Sequence, residues 1–524
     1  MHSDYLAHDA IGLAALVRDR QASPRELLDA AIGQAEAVNG AINAIVLQDY
    51  EAARQRAASA PEPGAATPFA GVPYLVKDLG AAVAGLPLSM GSRHYRYFVP
   101  ADDSPVIARS RAAGLNVFGK TNTSEIGQMP YTEPELFGAC RNPWNLDHTP
   151  GGSSGGAAAA VAAGIVPLAH ASDGGGSIRI PASCCGLFGL KPSRNPVLVD
   201  LPSNGELVVQ HAVSRSVRDS ALLLDVTTGQ TLPPGAPGTF LGALDTPPGP
   251  LRIGLVIDPM LAPALADDTR AALDDAAALL ESLGHHVEPT TLQIDYVRAA
   301  ETFLTLWATI AEEMVLGARE LTGRTPRRGE FEAATWAMAV VGRRLARTRL
   351  PDVLEWQRQL TVQVAGLVSR YDAILCASLA GPPVKIGELQ PTPFESAQMK
   401  LVAALPVKPL LKEMLAKSSE KAFAWAGCTE LFNLTGQPAM SVPLYWNARG
   451  LPIGVQFAAR HADEALLLKL ARQLEQARPW FDRRPPLMQA QRRFSGFRHA
   501  ACAALHDKKA PPAQTGGAFT QATA

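Results

Sequence analysis

The 524-residue chain lacks several features that would each have assigned it a chemistry. Its six cysteines (Cys140, Cys184, Cys185, Cys376, Cys428 and Cys502) include no Cys-x-x-Cys pair, so neither a disulfide framework nor a zinc site is expected. No His-Glu-x-x-His spacing occurs, and His285-His286 reads as an exposed strand edge. Neither sign of charge dominates: 48 Lys plus Arg face 49 Asp plus Glu, which excludes a global field that would recruit nucleic acid or an anionic membrane. The longest apolar run, Ala157 to Ala169, contains Gly164 and Pro167 and falls short of the ~20 residues of a membrane span. Met1-His-Ser-Asp-Tyr5 shows no basic segment leading into an apolar core, so no secretory leader is expected. The expectation is a soluble cytoplasmic protein with a small molecule as its partner and with no cofactor, metal, nucleic acid or membrane. For the oligomeric state the working expectation is a homodimer.

What is present is ordinary globular composition, 47% hydrophobic and 19% charged, enough to bury a large core. Ser23-Pro-Arg-Glu26 forms a capping box that opens a helix with Leu28, Ala31, Ile32 and Ala35 on one face and Asn39-Gly40 at its end. Residues 1 to 60 therefore read as helices. Val72 to Val76 reads as a buried strand ending on Lys77-Asp78, Ser104 to Ala113 as a helix and Leu115 to Lys120 as a strand. After a Pro/Gly-rich loop at Thr231 to Pro250 come a strand (Leu251 to Ile257), a helix (Asp267 to Leu283, capped by Gly284) and a strand at His286-Val287. Residues 296 to 425 are mostly helical, interrupted by a strand at Ala373 to Cys376. Leu451 to Phe457 is a strand and Asp463 to Ala477 a helix. Strands alternating with helices predict an α/β protein with a large mixed sheet covered on both faces.

The densest chemistry lies between Thr149 and Ser193. Gly151-Gly-Ser-Ser-Gly-Gly156 reads four ways. As a Gly/Ser linker it conflicts with the Trp144 and the Ala-rich helix that flank it. As a phosphate loop it lacks the Lys-Ser/Thr ending. As a nucleophile elbow it fits Gly-x-Ser-x-Gly on both Ser153 and Ser154, with His170 and Asp173 as partners, but Arg141 to Pro150 is a loop where the elbow requires a strand. The fourth reading joins it to Asp173-Gly-Gly-Gly-Ser-Ile-Arg-Ile-Pro181 and to Lys77. Two Gly/Ser clusters supply hydroxyls and free N–H groups, and a lysine that closes an apolar strand supplies either a solvated end paired with Asp78 or a desolvated amine able to act as a base.

In this fourth reading the chain resembles the amidase signature family. Pro150 to Gly156, Asp173 to Pro181 and Gly186-Leu-Phe-Gly-Leu-Lys-Pro192 resemble the signature itself. Gly71 to Asp78, Gly119-Lys-Thr-Asn122, Asn433-Leu-Thr-Gly-Gln-Pro438 and Leu451 to Gln456 resemble further elements in the family's order. The likeness runs from the N-terminal helices to about Trp480. Within the family, Ser172 to Gly186 is most similar to 6-aminohexanoate cyclic-dimer hydrolase-like bacterial amidases.

The resemblance implies one amidase signature domain over residues 1–490, with 296–425 as a helical substrate-side cap and 491–524 as a flexible tail. It also implies a triad of Lys77 as base, Ser153 as relay in a cis peptide and Ser177 as nucleophile, with the N–H groups of Gly174, Gly175, Gly176 and Ser177 as oxyanion donors. Ser154 and Arg179 would be supporting residues. The implied activity is hydrolysis of C–N bonds in small linear or cyclic amides. A carbamate or ester hydrolase with the same triad and a catalytically silent binding protein are the alternatives. The chain departs from the family pattern at Ser172, at Gly174 and at Arg194-Asn-Pro196. Ile180, where transamidating members usually carry Gln, points away from tRNA-linked transamidation.

Overall fold

The computed structural model describes residues 2–194, 207–404 and 407–488. The strands are β1 (Ile45–Gln48), β2 (Pro73–Lys77), β3 (Asn116–Thr121), β4 (Leu168–Asp173), β5 (Phe188–Lys191) and β6 (Val209–Ser214). They continue with β7 (Arg252–Leu255), β8 (His286–Pro289), β9 (Ala373–Ala377), β10 (Ala439–Trp446) and β11 (Pro452–Ala458). All eleven join one sheet in the order β1-β3-β2-β4-β6-β5-β10-β11-β9-β7-β8. It is mixed: β3-β2-β4 and β9-β7-β8 pair in parallel, and the strands between them and at the β1 edge pair antiparallel. β2, β3 and β4 are buried at every residue, as parallel strands covered on both faces must be.

The capping box at Ser23 and Glu26 forms as the sequence predicts. Its helix, however, runs to Ile42 and ends on Asn43 in the left-handed region, not at Asn39-Gly40. Asn39 turns its side chain forward, accepting from the N–H groups of Ala44 and Ile45 and so tying the helix end to β1. The edge strand β1 itself lies in the segment expected to be helical throughout. His285 is also corrected: it is buried between the Leu251 N–H and Gln473, and only His286 is exposed.

The helix Gly155–Ala162 is buried at every position, and its run of Gly and Ala lets sheet and neighbouring helices close around it. Residues 296–425 supply the expected helices, chiefly Tyr296–Leu316, Ala333–Val341, Arg347–Val368, Pro393–Ala404 and Lys408–Ala426, around β9. Among the described residues no helix is long and apolar enough to cross a membrane. The expected C-terminal tail and the Asn195-Pro196 departure lie outside the described residues.

Candidate active site

β2 ends by delivering Lys77 into the interior, fully buried. Its Nζ lies 2.7 Å from Ser153 Oγ and 3.0 Å from Ser172 Oγ. The solvated strand end and the Lys77/Asp78 pair are therefore not formed. Asp78 instead sits 3.4 Å from the Lys120 amine and accepts from Ser89. Burial lowers the proton affinity of Lys77 to about 7, against an opposing pull from Asp173.

Ser153 follows a cis peptide bond, Gly152–Ser153. Its loop is pinned from below by Thr132, whose Oγ1 donates to the Gly151 carbonyl (2.9 Å) and accepts from the Gly155 N–H (3.1 Å). Ser154 points away from the amine and donates to the Ser172 carbonyl at 3.2 Å, which makes it a structural hydroxyl.

The turn after β4 carries Gly174, Gly175, Gly176 and Ser177. A Cβ on Gly174 would lie 2.9 Å from Trp307 and one on Gly175 2.7 Å from Phe303, because the stacked Phe303 and Trp307 rings lie directly on the turn. Gly176 has φ +121°, and a Cβ there would run into Thr429, whose Oγ1 donates to the Gly175 carbonyl at 2.7 Å. Only glycine permits both the conformation and the approach.

The Gly176 N–H is already committed, donating to Asp173 Oδ1 at 2.7 Å. To serve as the expected oxyanion donor it would have to share that bond. Among the described residues, the N–H groups of Gly174, Gly175 and Ser177 have no protein acceptor.

Arg179 is the buried pin of the turn. Its Nε and one Nη2 bond reach the two oxygens of Asp173, both at 2.9 Å, while Nη1 reaches the Thr429 carbonyl and Gln456 and Nη2 also reaches Asn433. All five donors are used. The ionised Asp173, held well below the ordinary carboxylate range chiefly by Arg179 despite its burial, also accepts from Asn433. Two motifs far along the chain, Asn433 to Pro438 and Leu451 to Gln456, thus converge on one guanidinium. Sequence reading singled out those motifs and missed the roles of Thr429, Asn433 and Gln456, which only the fold brings together.

The elbow reading fails on geometry. His170 lies within β4, its Nε2 2.9 Å from Gln210, and burial together with the charge of Lys77 lowers it to about 3. Asp173 is spent on Arg179. Among the described residues no group of His, Cys, Asp and Glu could hold a metal ion.

Ser177 and Gly175 open onto a cleft of roughly 1000 Å³, mouth included, walled by Phe303, Trp307, Met338, Leu389 and Phe423. Gly127 lines the same cleft and lies so close to Ser153 that a Cβ there would stand 3.3 Å from Ser153 Oγ.

The Amidase family model matches residues 26–468. The chain belongs to the amidase signature family. It is 37% identical over 527 residues to the 6-aminohexanoate-cyclic-dimer hydrolase of Paenarthrobacter ureafaciens, covering 93% of this chain and 98% of that one. A solved structure of 6-aminohexanoate cyclic dimer hydrolase complexed with substrate superposes with TM-score 0.81 at 34% identity, covering 92% of this chain and 99% of that one. A bacterial aryl acylamidase of the amidase signature family superposes with TM-score 0.76 at 27% identity, covering 90% and 96%. The protein is an amidase, a hydrolase of C–N bonds, and the turn and the buried amine described above are its candidate chemistry.

Proposed function

We propose that this amidase cleaves small linear or cyclic amides through an acyl-enzyme on Ser177, with Lys77 as base and Ser153 as relay. The observation that carries the reading is the Lys77–Ser153 contact: an amine held at about 7, 2.7 Å from a hydroxyl, with no carboxylate paired to it among the described residues. A neutral amine at physiological pH is a base where an ordinary lysine is not.

Lys77 takes the proton of Ser153, which takes that of Ser177 as its oxygen attacks the carbonyl carbon. The oxyanion forms against the unengaged N–H groups of Gly174, Gly175 and Ser177, whose rigid placement lowers the barrier without reorganisation. The relay returns the proton to the leaving nitrogen as the C–N bond breaks. Water, deprotonated through the same relay, then frees Ser177. Asp173 and Arg179 hold the turn and touch no reacting atom. The helices of 296–425 form the substrate-side cap, a reading supported by Phe303, Trp307, Met338 and Phe423 in the cleft wall. Relatives named as 6-aminohexanoate-cyclic-dimer hydrolases support the cyclic part of that substrate class.

The test is intact-mass and peptide mapping after treatment with a serine-directed fluorophosphonate, together with burst release of amine from a test amide. The expected result is one adduct on Ser177, absent in Ser177→Ala and slowed in Lys77→Ala, with turnover independent of ATP. An adduct on Ser153 or Ser154, or none at all, would overturn the assignment.

A further inference from the structure

The chain from Glu125 to Glu135 runs between the loop that carries Ser153 and a helix that walls the cleft. On the inner side, the Tyr131 backbone lies so close to Gly152 that a Cβ on that glycine would stand 2.6 Å from it. Gly127 approaches Ser153 itself, and Thr132 bonds to Gly151 and Gly155. The relay serine is thus flanked by this segment on both sides of its own loop. Gly127 and Tyr131 also line the cleft.

On the outer side the segment is tied to the helix Ala333–Val341, whose Ala334, Ala337 and Met338 line the same cleft. The buried carboxyl of Glu125 accepts from the Glu332 N–H at 2.8 Å, and the Ser92 and Thr335 hydroxyls bond to it as well. Glu332 stands at the N-cap of the helix, yet its side chain caps no N–H there. It reaches across instead and accepts from the Glu135 N–H, also at 2.8 Å. An N-cap side chain ordinarily serves the first N–H groups of its own helix, so this one joins the helix to the segment opposite.

Between the two ties Ile126 has φ +51°, a conformation that a β-branched side chain takes only where its surroundings impose it. Its N–H donates to the Met90 carbonyl at 2.8 Å. Burial pushes the Glu125 and Glu332 carboxyls above the ordinary range, and Glu125 adds to the rise at Glu332. A neutral carboxyl still accepts a hydrogen bond, so the tie to Glu135 needs an oxygen and not a charge.

We propose that Glu332 is a positioning residue for the proton relay: acting through the strap 125–135, it sets the place of Ser153 and couples the cleft-lining helix to the activation of Ser177. This rests on the relay reading above and adds a residue to it. A reacting group displaced by about 1 Å loses up to about a hundredfold in rate, which is the scale on which such a residue acts.

The test is a double-mutant cycle of Glu332→Ala with Ser153→Ala, read as the rate of fluorophosphonate labelling at Ser177. Glu332→Ala is expected to slow labelling about tenfold or more in the parent protein. In the Ser153→Ala protein the same change should slow it less than about twofold, because a residue that acts only through Ser153 has nothing left to place. Glu332→Gln keeps the acceptor for Glu135 and should label within about threefold of the parent. Equal slowing in both backgrounds would show a general structural role and overturn the proposal. So would parental labelling by Glu332→Ala, or a glutamine variant as slow as the alanine one. If Glu332→Ala does not fold, Glu135→Pro takes its place in the cycle with the same expectations, since it removes the donor of the same bond at an exposed position. Ser153→Ala labelled as fast as the parent would sink the relay reading and the proposal with it, an outcome that shows in that variant alone.

Discussion

The ionised carboxylate of Asp173 raises the proton affinity of Lys77 against a larger loss caused by burial, and the balance holds the amine at about 7. Activity should then follow the neutral amine. kcat/KM is expected to rise with pH through a midpoint near 7 and level off above it, because deprotonation creates the base. Lys77→Met should lose about a thousandfold or more, the scale of a lost general base with its proton relay. A pH–rate profile without an acid limb near 7 would remove Lys77 from the role of base.

The same burial predicts that Lys77 weakens the fold. Lysine in the unfolded chain titrates near 10.5, so between about 7 and 10.5 the unfolded state binds the proton and the folded state does not. Stability therefore rises with pH across that window. Lys77→Met is expected to be more stable than the parent by a few kcal/mol at pH 7, with the gap narrowing as pH approaches 10. Urea denaturation of both proteins at pH 7 and 9.5 would check it; equal stability at both would contradict the depressed amine.

Much of this site was legible because its chemistry is local in sequence. Ser153 and Ser177 sit in Gly/Ser clusters, and Lys77 stands out by ending an apolar strand. What could not be read is what packing decides. Arg179 announces nothing about Thr429, Asn433 or Gln456, which reach it from 250 or more residues away. Gly176 looks as free as Gly174 and Gly175 until Asp173 is seen to take its N–H. The short edge strand β1 was missed because four residues beside a long helix carry no period of their own.

Arg179 offers a test of how far the turn depends on its pin. Lysine there retains the charge but cannot span both oxygens of Asp173, and it strands the oxygens of Asn433 and Gln456 in the interior. Arg179→Lys is expected to cost about 3–5 kcal/mol of stability, the scale for breaking a buried pair. It should lower kcat more than it raises KM, since Asp173 also positions Gly176 and Ile178. Denaturation together with steady-state kinetics would measure both, and a variant with parental stability would show the network to be dispensable.

Phe303, on the helix Tyr296–Leu316, presses on the turn at Gly175. Gly175→Ala places a methyl 2.7 Å from Phe303 Cζ, the far end of a side chain that can turn aside, whereas at Gly176 the obstacle is Thr429 and φ is +121° as well. The two alanine variants should therefore behave differently. Gly175→Ala is expected to lose about tenfold to a hundredfold in kcat, through displacement of the turn's N–H groups from the oxyanion. Shortening the ring as Phe303→Leu in the same protein should restore most of that loss, a coupling read from a double-mutant cycle. Gly176→Ala should lose more, with no recovery from Phe303→Leu, because its backbone conformation is itself unsuited to a side chain. If Phe303→Leu leaves Gly175→Ala unchanged, Phe303 does not press on the turn that carries Ser177 and the coupling argued from these rings is wrong.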